Sequence, residues 1–518
     1  MTESSSTYIP TDGSQLAAID MGSNSFRLEI GQLLHGRYRR IDYLKETVRL
    51  GAGLDENSML TEEAMQRGLQ CLSRFAQRLQ GYPSNHVRAV ATQTLREAQN
   101  RNAFLARAQE VLGHAIEVIS GREEARLIYA GVARLQPSAL PRLVIDIGGR
   151  STEMILGQHR QPAAAESFQV GSVSLSMKYF EDGRFTEAAF RRAQIAAGAE
   201  LEEGLHTFAP ARWKEALGSS GTAGAVSQVL AASGVTDGRI TPDSLRWLID
   251  QCLQAGRMDK LVLPGLKDDR RQVIGGGVAI LYTLAMNFGI DELLPAKGAL
   301  RQGVIFDLQE RLQSRDRALP ARQAMREGSD MRDTSVLEMQ SRFAVDKTQA
   351  ERVMAVADAL YQSVALTHPA HSTGEEKREL QWAAALHELG MMVSHHDHHR
   401  HSAYILAHVD AAGFSQSQLR RLADLVLAQR GGLRKVEALL ANPDFAWQVL
   451  CLRLAIIKCH ARGPVSTKAL ELTQDGQRAV LSFSSAWAAT HPKTLYLLNE
   501  EVAAWEKFNG LRLVLNQS

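Results

Sequence analysis

The chain has few cysteines, no long apolar run and almost no net charge, and each shortage narrows what it can be. Its four cysteines, Cys71, Cys252, Cys451 and Cys459, are scattered with no C-x-x-C pair among them. That pattern speaks against a zinc ribbon or a disulfide framework and for a reducing, cytoplasmic compartment. No stretch reaches the ~18–20 apolar residues needed to span a bilayer, so no transmembrane segment is expected, while peripheral attachment to a membrane stays open. The opening MTESSSTYIPTDGS is polar and lacks the apolar core of a signal peptide. A formal net charge of +2 excludes the cationic coat that would hold a nucleic-acid polymer, yet it permits a local basic groove. What remains is a 518-residue chain of ordinary globular composition, long enough for about three or four domains.

The most informative stretch is LVIDIGGRSTEMILG, Leu143 to Gly157. Apolar residues run into Asp146, a Gly148-Gly149-Arg150 turn follows, and Met154-Ile155-Leu156 reads as a return strand. Glycines at such a tip bring backbone N–H groups close to a bound anion, hydroxyls add donors, and carboxylates hold a divalent cation. The pattern occurs earlier as AAIDMGSNSFRLEIG, Ala17 to Gly31, with Ile19 matching Ile145, Asp20 matching Asp146, Gly22 matching Gly148, Ser25 matching Ser151 and Gly31 matching Gly157. A lone Asp-x-Gly turn is common. Two copies imply a duplication, with two related α/β halves whose tips converge on one phosphate-binding cleft.

Residues 1–14 read as a disordered leader, 15–136 as the first half and 137–311 as the second. Within TQTLREAQN, Arg96 and Asn100 stand four apart and can share a helix face; Arg96 either clamps a phosphate or pairs with a surface carboxylate such as Glu97. In SGREEARLIYAGV, Ser120-Gly121 breaks a strand over Ala115 to Ile119, and Glu123-Glu124 opens a helix packed through Leu127, Ile128 and Val132. Phe168 to Ser176 reads as a further short strand and turn. ALGSSGTAGAV, Ala216 to Val226, is a strand ending in a Gly/Ser-rich loop at a helix start, an anion site without the lysine of a P-loop. Lys267, Arg270, Arg271, Lys297 and Arg301 flank an apolar helix preceded by three glycines; they line a polyanion path or are simply solvated. Residues 312–334 lose apolar periodicity and read as a linker or an exposed connecting helix. The pattern over 335–464 is helical and includes His387-Glu388 and the run His395 to His401. Residues 465–518 turn strand-like again and suggest a small α/β or α+β domain.

Taken together, the two turns, TQTLREAQN, ISGREEARLI, the 275–277 glycines, HRHSAYIL and the terminal WEKFNGLRL resemble the exopolyphosphatase and guanosine pentaphosphate phosphohydrolase family. The resemblance runs from about residue 15 into the C-terminal third. It implies an α/β fold with a duplicated actin-like (ribonuclease H-like) core, then a helical domain similar to His-Asp phosphohydrolases, then a small terminal domain. Carried over residue by residue, Glu123 falls on the catalytic glutamate that activates water. Asp146 and Glu153 would hold Mg²⁺ and the attacking water, with Asp20 supporting the metal. Ser23, Asn24, Gly148, Gly149 and Ser151 would cradle phosphate oxygens, and Arg96 would neutralise the transferred group. Two departures stand out: Arg150 sits where relatives often carry glycine, adding a phosphate contact or pointing outward, and His387-Glu388 replaces a His-Asp dyad. The activity implied first is Mg²⁺-dependent, processive release of orthophosphate from inorganic polyphosphate. The alternative is the same hydrolysis on guanosine pentaphosphate, and a non-catalytic sensor or a sugar-type kinase would be further readings. A homodimer is expected from the resemblance.

Overall fold

The first strands are buried on both faces: Phe26, Leu28 and Ile30 are buried as the alternation predicts, but so is Glu29 between them, and the return from β1 (Gln15–Met21) to β2 (Ser25–Leu34) is antiparallel. The computed structural model describes residues 13–34, 37–314, 330–367, 374–508 and 510–517. Of the expected leader only its last two residues lie within them. The chain forms two compact units, residues 1–312 and 313–518.

In the first unit, β1 and β2 continue into β3 (Arg37–Thr47), a strand that the sequence pattern did not show; β4 (Val87–Ala91) and β5 (Ile116–Val118) complete a sheet of order β3-β2-β1-β4-β5. A second sheet of β6 (Arg142–Ile147), β7 (Thr152–Gln158), β8 (Gln161–Phe168), β9 (Glu215–Gly218) and β10 (Leu294–Pro295) has the order β10-β9-β6-β7-β8. In each, three antiparallel strands are followed by two parallel ones, so the second sheet repeats the first strand for strand. The repeat extends to a bulge. Register shifts at Ile30/Gly31 and at Leu156/Gly157, matched positions, and at each a tyrosine ring lies where a Cβ would stand, Tyr38 over Gly31 and Tyr129 over Gly157.

Each sheet has its own core. Helices Glu62–Arg78 and Arg101–Leu112 close the first around Phe26, Leu72, Phe75 and Phe104. Thr61 caps the former, accepting from the Ala64 N–H, with Glu62 and Glu63 at its positive end. Helices Glu187–Leu201, Gly221–Ala232, Pro242–Ala255 and Ile274–Phe288 close the second. A further core joins both sheets through helices Gly121–Leu135 and Leu300–Ser314, which pack with Val90, Val144, Ile155 and Leu217. The two helices meet through glycines: a Cβ on Gly303 would collide with the Leu127 carbonyl oxygen, and one on Gly131 with that of Ala299.

Several local expectations change. The helix bearing Arg96 ends at Glu97, and Asn100 precedes a new helix while its side chain bonds both backbone groups of Leu60, so Arg96 and Asn100 do not share a helix face. Residues 172–179 are helical, not a turn. Gly275, Gly276 and Gly277 lie inside the apolar helix and admit Phe180, Ser176 and Thr222 at close range.

In the second unit, helices Met331–Arg342, Lys347–Thr367, Gly374–Leu386, His398–His408, Gln416–Ala428 and Pro443–Lys458 surround Trp382, Phe414, Trp447 and Leu450. A three-stranded sheet, β11 (Glu471–Asp475), β12 (Arg478–Phe483) and β13 (Arg512–Gln517), adds Leu472, Leu481 and Leu513 to that same core. The expected linker over 312–334 is helical to Ser314 and again from Met331, and residues 315–329 lie outside the described residues. Among the described residues no helix is long and apolar enough to cross a membrane.

Candidate active site

Both Asp-x-Gly turns open on one cavity of about 480 Å³ in the first unit. Asp20 lies one residue before the end of β1 opposite Arg27, and Asp146 one residue before the end of β6 opposite Glu153, so the repeat places an arginine in one half where the other has a glutamate. The turns touch: a Cβ on Gly149 would stand 3.3 Å from the Ser23 Cβ. Gly148 donates its N–H to the Ser151 carbonyl over 2.8 Å, closing the second tip. Ser23, Asn24, Gly148, Gly149 and Ser151 all line the cavity. A third element joins them. Ser220 caps helix Gly221–Ala232, accepting from Thr222 and Ala223 N–H at 3.1 Å, and Ser219, Ser220, Gly221 and Thr222 bring that positive helix end to the cavity wall.

The two adjacent glutamates point different ways. Glu123 accepts from Arg126 at 2.7 and 2.9 Å, with Arg88 3.6 Å away, and belongs to a buried cluster completed by Asp307. Although the resemblance carries the water-activating role to Glu123, it is not on the cavity wall; the glutamate that faces the cavity is Glu124. Burial, with the charges of Asp20 and Asp146, pushes the Glu124 carboxyl up to about 7 against the pull of Arg96. Ile128, one turn on, lines the cavity beside it. The local signal for this phase was Arg126, three residues after Glu123 and therefore its helical partner.

Asp146 accepts a short hydrogen bond from the Ser219 hydroxyl, and burial still raises its carboxyl above the usual range. Glu153 is buried behind the turn, accepts from the Ser167 hydroxyl at 2.8 Å, and is raised well above its ordinary value by burial and then by Glu124 and Asp146. It does not reach the cavity wall itself. Among the described residues no three Asp, Glu, His or Cys side chains gather into a metal cage. The residues nevertheless fit a hard divalent cation of the kind that uses one or two carboxylates and completes its shell with water and phosphate oxygens, because the donors are all oxygen and the buried carboxylates stand close enough to raise one another.

Of the basic residues expected on a polyanion path, Lys267, Arg270 and Arg301 line the cavity, whereas Arg271 pairs with Asp268 and Lys297 stays off the wall. Arg301 donates to Glu29 at 3.1 Å and to Asp20 at 3.4 Å. Two cations that the sequence reading passed over, Arg27 and Lys45, complete the set, and Tyr43 adds an aromatic face under Arg301, 5.3 Å from guanidinium carbon to ring centre. Arg27 was legible only as the repeat partner of Glu153; Lys45 and Tyr43 sit on β3, which carried no signal. Arg96 and Arg150, expected on phosphate, are off the wall: Arg96 donates to Glu124 at 2.8 Å, and Arg150 is 2.7 Å from Glu97. In the second unit, burial drives the His387 imidazole down to about 4, and Glu388 is paired with Arg462.

Comparison with known proteins gives the family. The family model described as Ppx/GppA phosphatase family matches residues 34–312, and that for Ppx/GppA phosphatase, domain III, matches residues 331–502. The chain belongs to the Ppx/GppA phosphatase family. Among curated relatives it is 34% identical over 497 residues, 95% of this chain and 97% of the other, to a guanosine-5'-triphosphate,3'-diphosphate pyrophosphatase of Aeromonas hydrophila subsp. hydrophila. Among solved structures, an exopolyphosphatase-like protein (24% identity, TM-score 0.52) covers 58% of this chain and 99% of its own. An exopolyphosphatase from Cytophaga hutchinsonii (24% identity, TM-score 0.52) covers 57% and 98%. These two establish the fold, a duplicated actin-like core. Membership of the Ppx/GppA family makes the chain a phosphoric anhydride hydrolase, and divalent-metal dependence is a property of that family.

Proposed function

We propose that this chain hydrolyses the terminal anhydride of guanosine pentaphosphate, giving the tetraphosphate and orthophosphate, with Glu124 as the base. The observation that carries the reading is a buried glutamate, set near neutrality by its surroundings, facing a cavity built from two phosphate-type turns and a helix N-terminus. Glu124 takes a proton from water as its oxygen attacks the terminal phosphorus; the bond to the bridging oxygen breaks, and that oxygen leaves with the shorter nucleotide. Turn N–H groups, the hydroxyls of Ser23 and Ser151, and Arg27, Arg270 and Arg301 hold the equatorial oxygens and keep the phosphorus in line. Mg²⁺, held through Asp20 and Asp146 with Glu153 buried behind them, would supply charge neutralisation on the phosphate oxygens.

The nucleotide is favoured over the polymer by the Aeromonas relative, whose name specifies a guanosine substrate. Five cations on the cavity wall favour a second reading, the end of an inorganic polyphosphate chain. Orthophosphate release with Mg²⁺, measured in parallel on guanosine pentaphosphate and long-chain polyphosphate, separates them. Higher kcat/KM on the nucleotide is expected; rapid release from the polymer with full-length chains persisting would install the polyphosphatase. Dimerisation rests on the resemblance alone and is read by light scattering of the full chain.

A further inference from the structure

Arg150 projects from the second turn, beside two glycines that form the cavity wall, yet its guanidinium leaves the cavity. Nε and Nη2 both reach Glu97 Oε2, at 2.9 and 2.7 Å, and Nη1 lies 3.4 Å from the Gly51 carbonyl oxygen. Glu97 and Gly51 belong to the first half of the duplicated core, so this arginine ties the second turn to the opposite half. The contact continues inward. Glu97 Oε1 accepts from Gln93 Nε2 at 2.6 Å, Gln93 Oε1 accepts from Arg96 Nε and Nη2 at 2.9 and 2.6 Å, and Arg96 Nη1 donates to Glu124 Oε2 at 2.8 Å. Each side chain in this row bonds the next, and Arg96 Nη1 is fixed as well by donating to the Ile119 carbonyl oxygen at 3.0 Å, so a shift at Arg150 reaches Glu124 through an anchored guanidinium.

We infer that Arg150 is a positioning residue which, through Glu97, Gln93 and Arg96, holds Glu124 in register with the second phosphate turn. Glu124 sits on helix Gly121–Leu135, whereas the phosphate it would serve is bound partly by Gly148, Gly149 and Ser151 of the other half. The base and its target are thus carried by different parts of the core. Each needs the other at a fixed distance, and the row from Arg150 to Glu124 supplies a polar strut between them. Because Arg150 touches neither the cavity nor Glu124, its loss should lower turnover without weakening substrate capture. The inference rests on the reading of Glu124 as the base.

The test compares full-length Arg150→Ala, Glu97→Gln, the double variant, the reciprocal Arg150→Glu/Glu97→Arg pair and Glu124→Gln, assayed on guanosine pentaphosphate with Mg²⁺. Arg150→Ala and Glu97→Gln should each lower kcat roughly ten- to hundredfold with KM nearly unchanged. The double variant should fall no further than the worse single, and the reciprocal pair should regain part of kcat, which a merely structural role would not give. Arg150→Lys, which keeps the charge, guards against a folding failure and should lie between wild type and Arg150→Ala. Wild-type kcat in the single variants, additive losses, or a rise in KM alone would overturn the inference. If Glu124→Gln is inactive while Arg150→Ala is not, the strut fails and the base stands; if Glu124→Gln turns over normally, the base fails and the strut with it.

Discussion

At the residue scale, two neighbouring glutamates have opposite surroundings, Glu123 among buried arginines and Glu124 at the cavity. Glu124→Gln removes the base and should lower kcat by ~10²–10⁴ with little effect on folding. Glu123→Gln should do the reverse: it leaves Arg126 and Arg88 under-compensated in the interior, so urea unfolding should show a loss of about 3–5 kcal/mol. The raised carboxyls carry a second consequence. Glu124 titrates at about 7 in the folded protein against an ordinary 4.5, so the folded state holds its proton more tightly. Its stabilising share is full below the unfolded value and is lost as pH rises through the folded one. Chelator-treated protein should therefore melt lower at about pH 8 than at about pH 6, with added Mg²⁺ restoring more at the higher pH, because Asp146, a proposed ligand whose carboxyl is also raised, must shed its proton to hold the metal. A melting temperature that ignores both pH and Mg²⁺ in scanning calorimetry would contradict this placement of the acids.

At the scale of elements, helices Gly121–Leu135 and Leu300–Ser314 bring Glu124 and Arg301 to one cavity, and they do so by touching at Gly131 and Gly303. Gly303→Ala forces them apart, so it should cost about 1–3 kcal/mol in denaturant titration and also lower kcat, although residue 303 is remote from the chemistry. Unchanged turnover would mean that this helix pair does not set the site. The same elements show what the sequence could and could not reveal. The duplication was legible because strand, turn, return strand and even the bulge glycine recur at constant spacing. The convergence of the two turns followed from it, whereas Lys267, Arg270 and Arg301 were legible from their own basic segment, which also offered Arg271 and Lys297. The resemblance carried the catalytic role onto Glu123, but two adjacent glutamates open that helix and the motif alone does not say which of them faces the cavity; Glu124 does. Nor could spacing foresee that Arg96 and Arg150, both plausible phosphate clamps, would be consumed by Glu124 and Glu97. Side chains able to bind phosphate are equally able to bind carboxylate, and only the three-dimensional neighbourhood chooses. β3 was missed because most of its residues are exposed or half-buried, leaving no apolar alternation to read.

For the whole molecule, the four cysteines are all buried, and burial raises the thiols of Cys71 and Cys252 to about 12 and that of Cys459 to about 11. None is a ready nucleophile, so a thiol reagent should label no cysteine in native protein and all four after denaturation. Rapid native labelling would show that the units open far more readily than their packed cores suggest. The most direct measurement is orthophosphate release by the full chain from guanosine pentaphosphate with Mg²⁺, under single-turnover conditions, for wild type, Glu123→Gln and Glu124→Gln. Release by wild type and by whatever fraction of Glu123→Gln remains folded, with none from folded Glu124→Gln, is the expected result. Release by Glu124→Gln at the wild-type rate would contradict the account.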